Sequence, residues 1–160
     1  NRVVYLFIVE EDLSSFNFTT RWRLIKEELG HIDNLVMVKG GNYVVSGTIF
    51  PSYFLKQEKE SDIAACQAEL DVITFMRYIV PIFNINRRYV GTEMYSPVTQ
   101  AYNDAMIKHL PPNGVELLEI PRISSGSKDN YISASKVRQA IREDKLDAVI
   151  DFLPTSTRRY

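Results

Sequence analysis

Apolar positions along the chain fall into two patterns, short unbroken runs and longer stripes at three- and four-residue spacing. The first run, residues 3–9 (VVYLFIV), predicts an interior parallel strand covered on both faces, because a strand buried on both sides loses the alternation of a half-exposed one. It ends in Glu10, Glu11 and Asp12. Residues 13–18 read as a loop, Thr19 or Thr20 is placed to cap a helix running through Trp22, Leu24, Ile25 and Leu29, and Gly30 stops it. Residues 34–38 give a second short buried strand, closed by Lys39, Gly40 and Gly41. Strand, helix, strand in this order predicts a right-handed parallel crossover.

Residues 42–56 (NYVVSGTIFPSYFLK) are hydrophobic and aromatic but too interrupted by Ser46, Gly47, Thr48, Pro51 and Ser52 for an interior strand. They read equally as a cap over a sheet edge or as a ligand-facing wall ending in Lys56. Residues 58–80 predict a long helix with Ile63, Leu70, Ile73, Phe75, Met76, Ile79 and Val80 toward the core, ended by Pro81. A strand follows at residues 87–93 (RRYVGTE). At the carboxyl end of such a strand Gly91 would let a ring or phosphate approach the backbone, and Glu93 could accept hydrogen bonds. Ser96 and Pro97 open a helix through Tyr102, Met106 and Ile107 to Leu110, Pro111 to Gly114 turn the chain, and residues 115–120 form the last strand. Residues 121–130 form a loop leading to two short helices, near 135–142 and 146–152. The alternation predicts an α/β fold, a mostly parallel sheet flanked by helices.

Composition narrows the function. At 160 residues, 45% hydrophobic and with net charge −1, the chain fits one soluble globular domain, and it lacks the basic excess of a general nucleic-acid or membrane-surface binder. Its single cysteine, Cys66, cannot close an intrachain disulfide, which fits a reducing cytoplasm, and its neighbours Ala64, Ala65 and Ala68 predict a core thiol. The histidines, His31 and His109, stand at helix ends rather than in a metal-ligand spacing. Neither a Gly-x-Gly-x-x-Gly fingerprint nor a Walker A loop is present.

The strongest chemical signal is residues 131–138 (YISASKVR), where a Gly/Ser-rich loop meets a helix. Ser133 or Ser135 can cap free backbone N–H groups, and Lys136 and Arg138 add cations at the positive end of the helix dipole, an arrangement that suits a phosphate. A plain N-cap with solvated charges would look the same.

Residues 132–138 (ISASKVR) resemble the ISSTxxR signature of the HxGH nucleotidyltransferase superfamily, with Ala and Ser where that signature has Ser and Thr. With residues 6–12 through Phe16 and Arg21, residues 50–56 (FPSYFLK) and residues 90–93 (VGTE), the chain resembles the C-terminal domain of citrate lyase ligases over nearly its whole length. The resemblance implies a Rossmann-like nucleotidyltransferase fold and an ATP-dependent ligase. Such a ligase activates acetate as acetyl adenylate and acetylates the prosthetic-group thiol of the citrate lyase acyl carrier subunit, releasing AMP and diphosphate. By match to the signature, Ser133, Ser135 and Arg138 would hold the β- and γ-phosphates, and Ile132, Gly91 and Glu93 would face the adenosine. Lys56 and Arg122 are further candidate anion contacts, and Mg²⁺ is expected through the phosphates.

The HxGH motif itself has no counterpart. Gly30-His31 carries Glu28 in place of the first histidine and ends a helix instead of opening one. If residues 3–9 match the family's second strand, the first strand and the HxGH loop lie upstream of Asn1. Residues 1–160 would then be a partial domain, inactive alone. Another adenylyltransferase of the superfamily, or a non-catalytic module that docks the carrier, stays open.

Overall fold

The computed structural model describes residues 2–10, 16–44, 60–92, 96–121 and 133–159, with backbone only at Glu60, Ser61 and Ser135. Expectations for Lys56, Glu93, Arg122, Ile132 and the aromatic segment 50–56 therefore lie outside the described residues. In chain order the elements are β1 (Val4–Ile8), α1 (Phe18–Leu29), β2 (Leu35–Lys39), α2 (Glu60–Thr74), α3 (Val80–Phe83), β3 (Arg87–Gly91), α4 (Pro97–His109), β4 (Glu116–Ile120), α5 (Ala134–Arg142) and α6 (Thr155–Arg158). A π turn at Phe75–Ile79 joins α2 to α3. The strand and helix alternation expected from the sequence is present among these residues, in small parallel sheets compatible with a Rossmann-like fold.

β1 pairs with β2, and β3 pairs with β4 in parallel register from Arg87 opposite Glu116 to Gly91 opposite Ile120. At one end of the first pair Val4 N–H donates to the Asn34 carbonyl (2.8 Å), and at the other Gly40 N–H donates to the Ile8 carbonyl (2.8 Å). Both partners advance together, so this pair is parallel too. The chain divides into two compact units, Asn1–Leu6 with Asp12–Val38 and Arg122–Tyr160, and Phe7–Glu11 with Lys39–Pro121.

In the first unit, α1 starts earlier than its threonines suggest: Asn17 is the N-cap, its side chain accepting from Thr20 N–H at 2.9 Å. Asparagine is a good cap, and starting there puts Phe18 in the first turn, where its ring meets that of Trp22 at 5.7 Å between centroids. Gly30 ends the helix in a right-handed conformation (φ −64°). What requires glycine there is space, since a Cβ would stand 2.5 Å from the Lys26 carbonyl oxygen. At the far end of the sequence, the helix expected near 146–152 is instead two 3-10 turns, Leu146–Ala148 and Ile150–Phe152. Pro154 drives the residue before it to extended geometry (Leu153 φ −91°, ψ 137°), so the helix cannot propagate. The unexpected α6 follows, and the Glu28 carboxylate accepts from its Ser156 N–H at 2.9 Å.

The second unit holds the larger core. Ala68, Val72, Phe75 and Ile79 pack with Ala105, Met106, Leu110 and Val115, with Phe7, Phe83 and Val90 around them. The buried positions 64, 68, 72, 75 and 79 repeat every four or three residues along one face of α2 and the π turn. Cys66 lies about two positions round from Ala64 and is exposed, contrary to the expected core thiol; Ile73, one residue past Val72, is 42% exposed for the same reason. Pro81 does not end the helix either. The wider π turn before it, closed by Val80 N–H on the Phe75 carbonyl, accommodates a residue that has no N–H and whose ring crowds the preceding turn. The helix stops instead at Asn84, in the left-handed region (φ 50°). Ser96 caps α4 as expected, accepting from Thr99 N–H at 3.3 Å with Pro97 at the first helical position.

Candidate functional site

The sequence places its phosphate candidates at the start of α5, in the first unit. Ser133 is extended (φ −142°, ψ 147°), and its Oγ accepts from Lys136 N–H at 3.3 Å, so it and not Ser135 is the N-cap. Its carbonyl takes the Val137 N–H at 3.2 Å. One lone pair of the hydroxyl is thereby committed to the helix, and its proton is available to an external acceptor. Lys136 and Arg138 are exposed on the first two turns while Ala140 is buried, so the helix anchors by its apolar side and turns its cations outward. Ser135 belongs to α5 by its backbone.

Gly91, the other described candidate, ends β3 in the second unit. It is exposed, and a Cβ there would meet nothing within 4 Å. The backbone conformation does not demand glycine, so its effect is to leave this strand end open to close approach. Its carbonyl accepts from the buried Asn103 side chain of α4 at 3.3 Å, and Thr92 N–H extends the pairing to the Ile120 carbonyl at 3.1 Å. Neither serine nor cation of α5 belongs to this unit.

The second unit also holds a polar cluster that the sequence reading did not single out. Tyr102 of α4 donates its hydroxyl to the Asp71 carboxylate of α2, and Arg88 of β3 stacks its guanidinium on the Phe75 ring, 4.3 Å from the centroid. Burial raises the Asp71 carboxyl, against the Tyr102 hydrogen bond and the charge of Arg88. Burial, then the bond to Asp71, pushes the Tyr102 phenol well above its usual range. Burial likewise lowers Arg88, with Asp71 opposing. These side chains line a small recess with Tyr43 and Val44. The available signal was strand alternation: Arg88 and Val90 share a face, and Val90 packs on the core, so an arginine stands at an inward position.

His109 meets Glu69 through Nε2 at 2.7 Å, beside Lys108 Nζ at the same distance, in keeping with a histidine at a helix end. Among the described residues no three His, Cys, Asp or Glu side chains gather as metal ligands, and no described helix is long and apolar enough to cross a membrane.

The described residues thus define an α/β protein of parallel strand pairs and flanking helices, with a capped, cation-bearing helix and an open strand end. The chain belongs to the citrate lyase ligase C-terminal domain family, whose sequence pattern matches residues 1–160. Among curated proteins it is 34% identical over 161 residues to the citrate (pro-3S)-lyase ligase of Klebsiella pneumoniae, covering 98% of this chain and 46% of that protein. The Escherichia coli ligase of the same name is 35% identical (98% and 45% covered), and that of Haemophilus influenzae 33% identical (98% and 47%). The chain spans just under half the length of these relatives. No solved structure matches it.

Proposed function

We propose that this chain contributes the nucleotide-handling part of an ATP-dependent ligase that activates acetate as acetyl adenylate and passes the acetyl group to the prosthetic-group thiol of the citrate lyase acyl carrier protein, with release of AMP and diphosphate. The observation that carries the reading is the family match over residues 1–160, with relatives named as ligases. The start of α5 fits a phosphate: the N-cap hydroxyl of Ser133, the positive end of the helix, and the cations of Lys136 and Arg138. ATP supplies the activated phosphorus and the diphosphate leaving group, and Mg²⁺ would arrive bound to those phosphates. The protein's share is to position and to neutralise charge. Ser133, Ser135 and Arg138 would grip the β- and γ-phosphates, with Lys56 and Arg122 as additional anion contacts. Gly91, Glu93 and Ile132 would lie along the adenosine. The setting is cytoplasmic.

A second part of the reading concerns the sheet. Among the described residues β1 pairs with β2 alone, which leaves its other edge for a further strand. The family's first strand, with the HxGH loop whose histidines would steady the α-phosphate, is the natural occupant, and residues 1–160 without it would lack activity.

Isothermal titration of Mg-ATP tests the site. Arg138→Ala should weaken binding at least tenfold while the fold is kept; an unchanged affinity would remove α5 from the nucleotide site.

A further inference from the structure

Asn103 stands where the core of the second unit would accept an apolar side chain. It lies on α4 just before Ala105 and Met106, both in that core, and at 7% exposure it is one of two buried polar residues among those described. Among the described residues its side chain makes one hydrogen bond, from Nδ2 to the Gly91 carbonyl at 3.3 Å. That carbonyl has a particular direction. The Asn86 carbonyl accepts from Glu116 N–H and Thr92 N–H donates to Ile120, so even-numbered residues along β3 turn their polar groups toward β4, and Gly91 turns its carbonyl to the opposite edge. Gly91 is itself exposed, and a carbonyl at an exposed strand end can be hydrated at little cost. Satisfying it does not require a buried amide. What the amide adds is direction, because a side chain on a packed helix sets the orientation of the Gly91–Thr92 peptide. The helix is fixed in rotation by the preceding residue: Tyr102 donates to Asp71 of α2, and adjacent helical side chains diverge by about 100°, which turns Asn103 toward β3. On its open side Gly91 has no such support, since a Cβ there would meet nothing within 4 Å.

We propose that Asn103 is a positioning residue for the nucleotide: by holding the Gly91 carbonyl from behind, it keeps the end of β3 in the orientation against which the adenosine lies. The role rests on the reading of Gly91 as part of the adenosine wall and extends it to a helix residue that does not itself touch the ligand. Its loss should be felt by the nucleoside and not by the phosphates, which the same reading assigns to α5.

Calorimetric titration of the full chain and its Asn103→Leu variant with Mg-ATP and, separately, with magnesium and inorganic triphosphate tests it. Leucine nearly keeps the volume, favours the helix and removes the donor. Mg-ATP should bind about tenfold more weakly to the variant, the scale of one lost hydrogen bond, while triphosphate should bind both proteins alike. An equal loss for both ligands would mark a general loosening, and an unchanged Mg-ATP affinity an idle bond; either overturns the role. Should Asn103→Leu fail to fold, NMR of the wild-type Asn103 side-chain amide decides. Its resonances should move as Mg-ATP saturates and stay in place under triphosphate, and a stationary amide under saturating Mg-ATP overturns the role equally. The two readings fail separately. A wild type that takes neither ligand removes the nucleotide reading and this role with it, whereas one that takes both and is indifferent to Asn103→Leu removes this role alone.

Discussion

Ordinary side chains in this protein carry environments that their neighbours in sequence do not announce. Glu28 sits below the usual carboxylate range chiefly because the Ser156 backbone N–H donates to it, and Glu69 does so because Lys108 and then His109 donate to it. A carboxylate lowered in the folded state contributes stability above its unfolded pKa and loses it as pH falls through the folded value. The thermal midpoint should therefore drop on acidification from about pH 5 to about pH 3. Glu28→Gln should start lower at neutral pH and show a shallower drop, read by circular dichroism melts; identical slopes would remove the carboxylate from the account. Arg88 shows the limit of reading residues singly. Its inward position was legible from strand alternation, but the partners that define its recess, Asp71 and Tyr102, come from two other helices. No local pattern ties residues 71, 88 and 102 together.

At the level of elements, most starts and stops were written locally. Ser96-Pro97 opens α4, and Gly114 supplies the left-handed turn (φ 79°) that leads the chain toward β4. Where the reading failed, a longer-range condition decided. The phase of α2 is set by what α4 presents to it, which selects the face of Ala64, Ala68 and Val72 and leaves Cys66 and Ile73 outside. The small alanines on that face allow the two helices to approach, a cue present in the sequence but outweighed there by larger apolar residues. Leu110, just past the end of α4, is fully buried against this face. Leu110→Ala should cost about 2–5 kcal/mol, since a core that cannot collapse keeps the cavity. Urea denaturation would show it as a lower midpoint at unchanged slope; a loss within 0.5 kcal/mol, roughly that of a surface substitution, would mean the core there is not packed as described.

For the whole molecule, the fold class was readable because strands and helices alternate, whereas the completeness of the sheet was not, because pairing is a relation between strands. Among the described residues β1 pairs with β2 alone, and the proposal of a further strand beside it has a measurable outcome. Amide exchange over residues 3–9 should be fast and uncooperative beside that of β3, whose inward face packs on the larger core; strong cooperative protection there would show that β1 needs no further strand. The bond from Ser156 N–H to Glu28 joins residues 128 positions apart. Its meaning for a chain emerging from the ribosome is one of timing. The carboxylate at the end of α1 has no partner at position 156 until nearly all of these residues have been synthesised, so the earliest described helix in the chain must wait for one of its tertiary contacts.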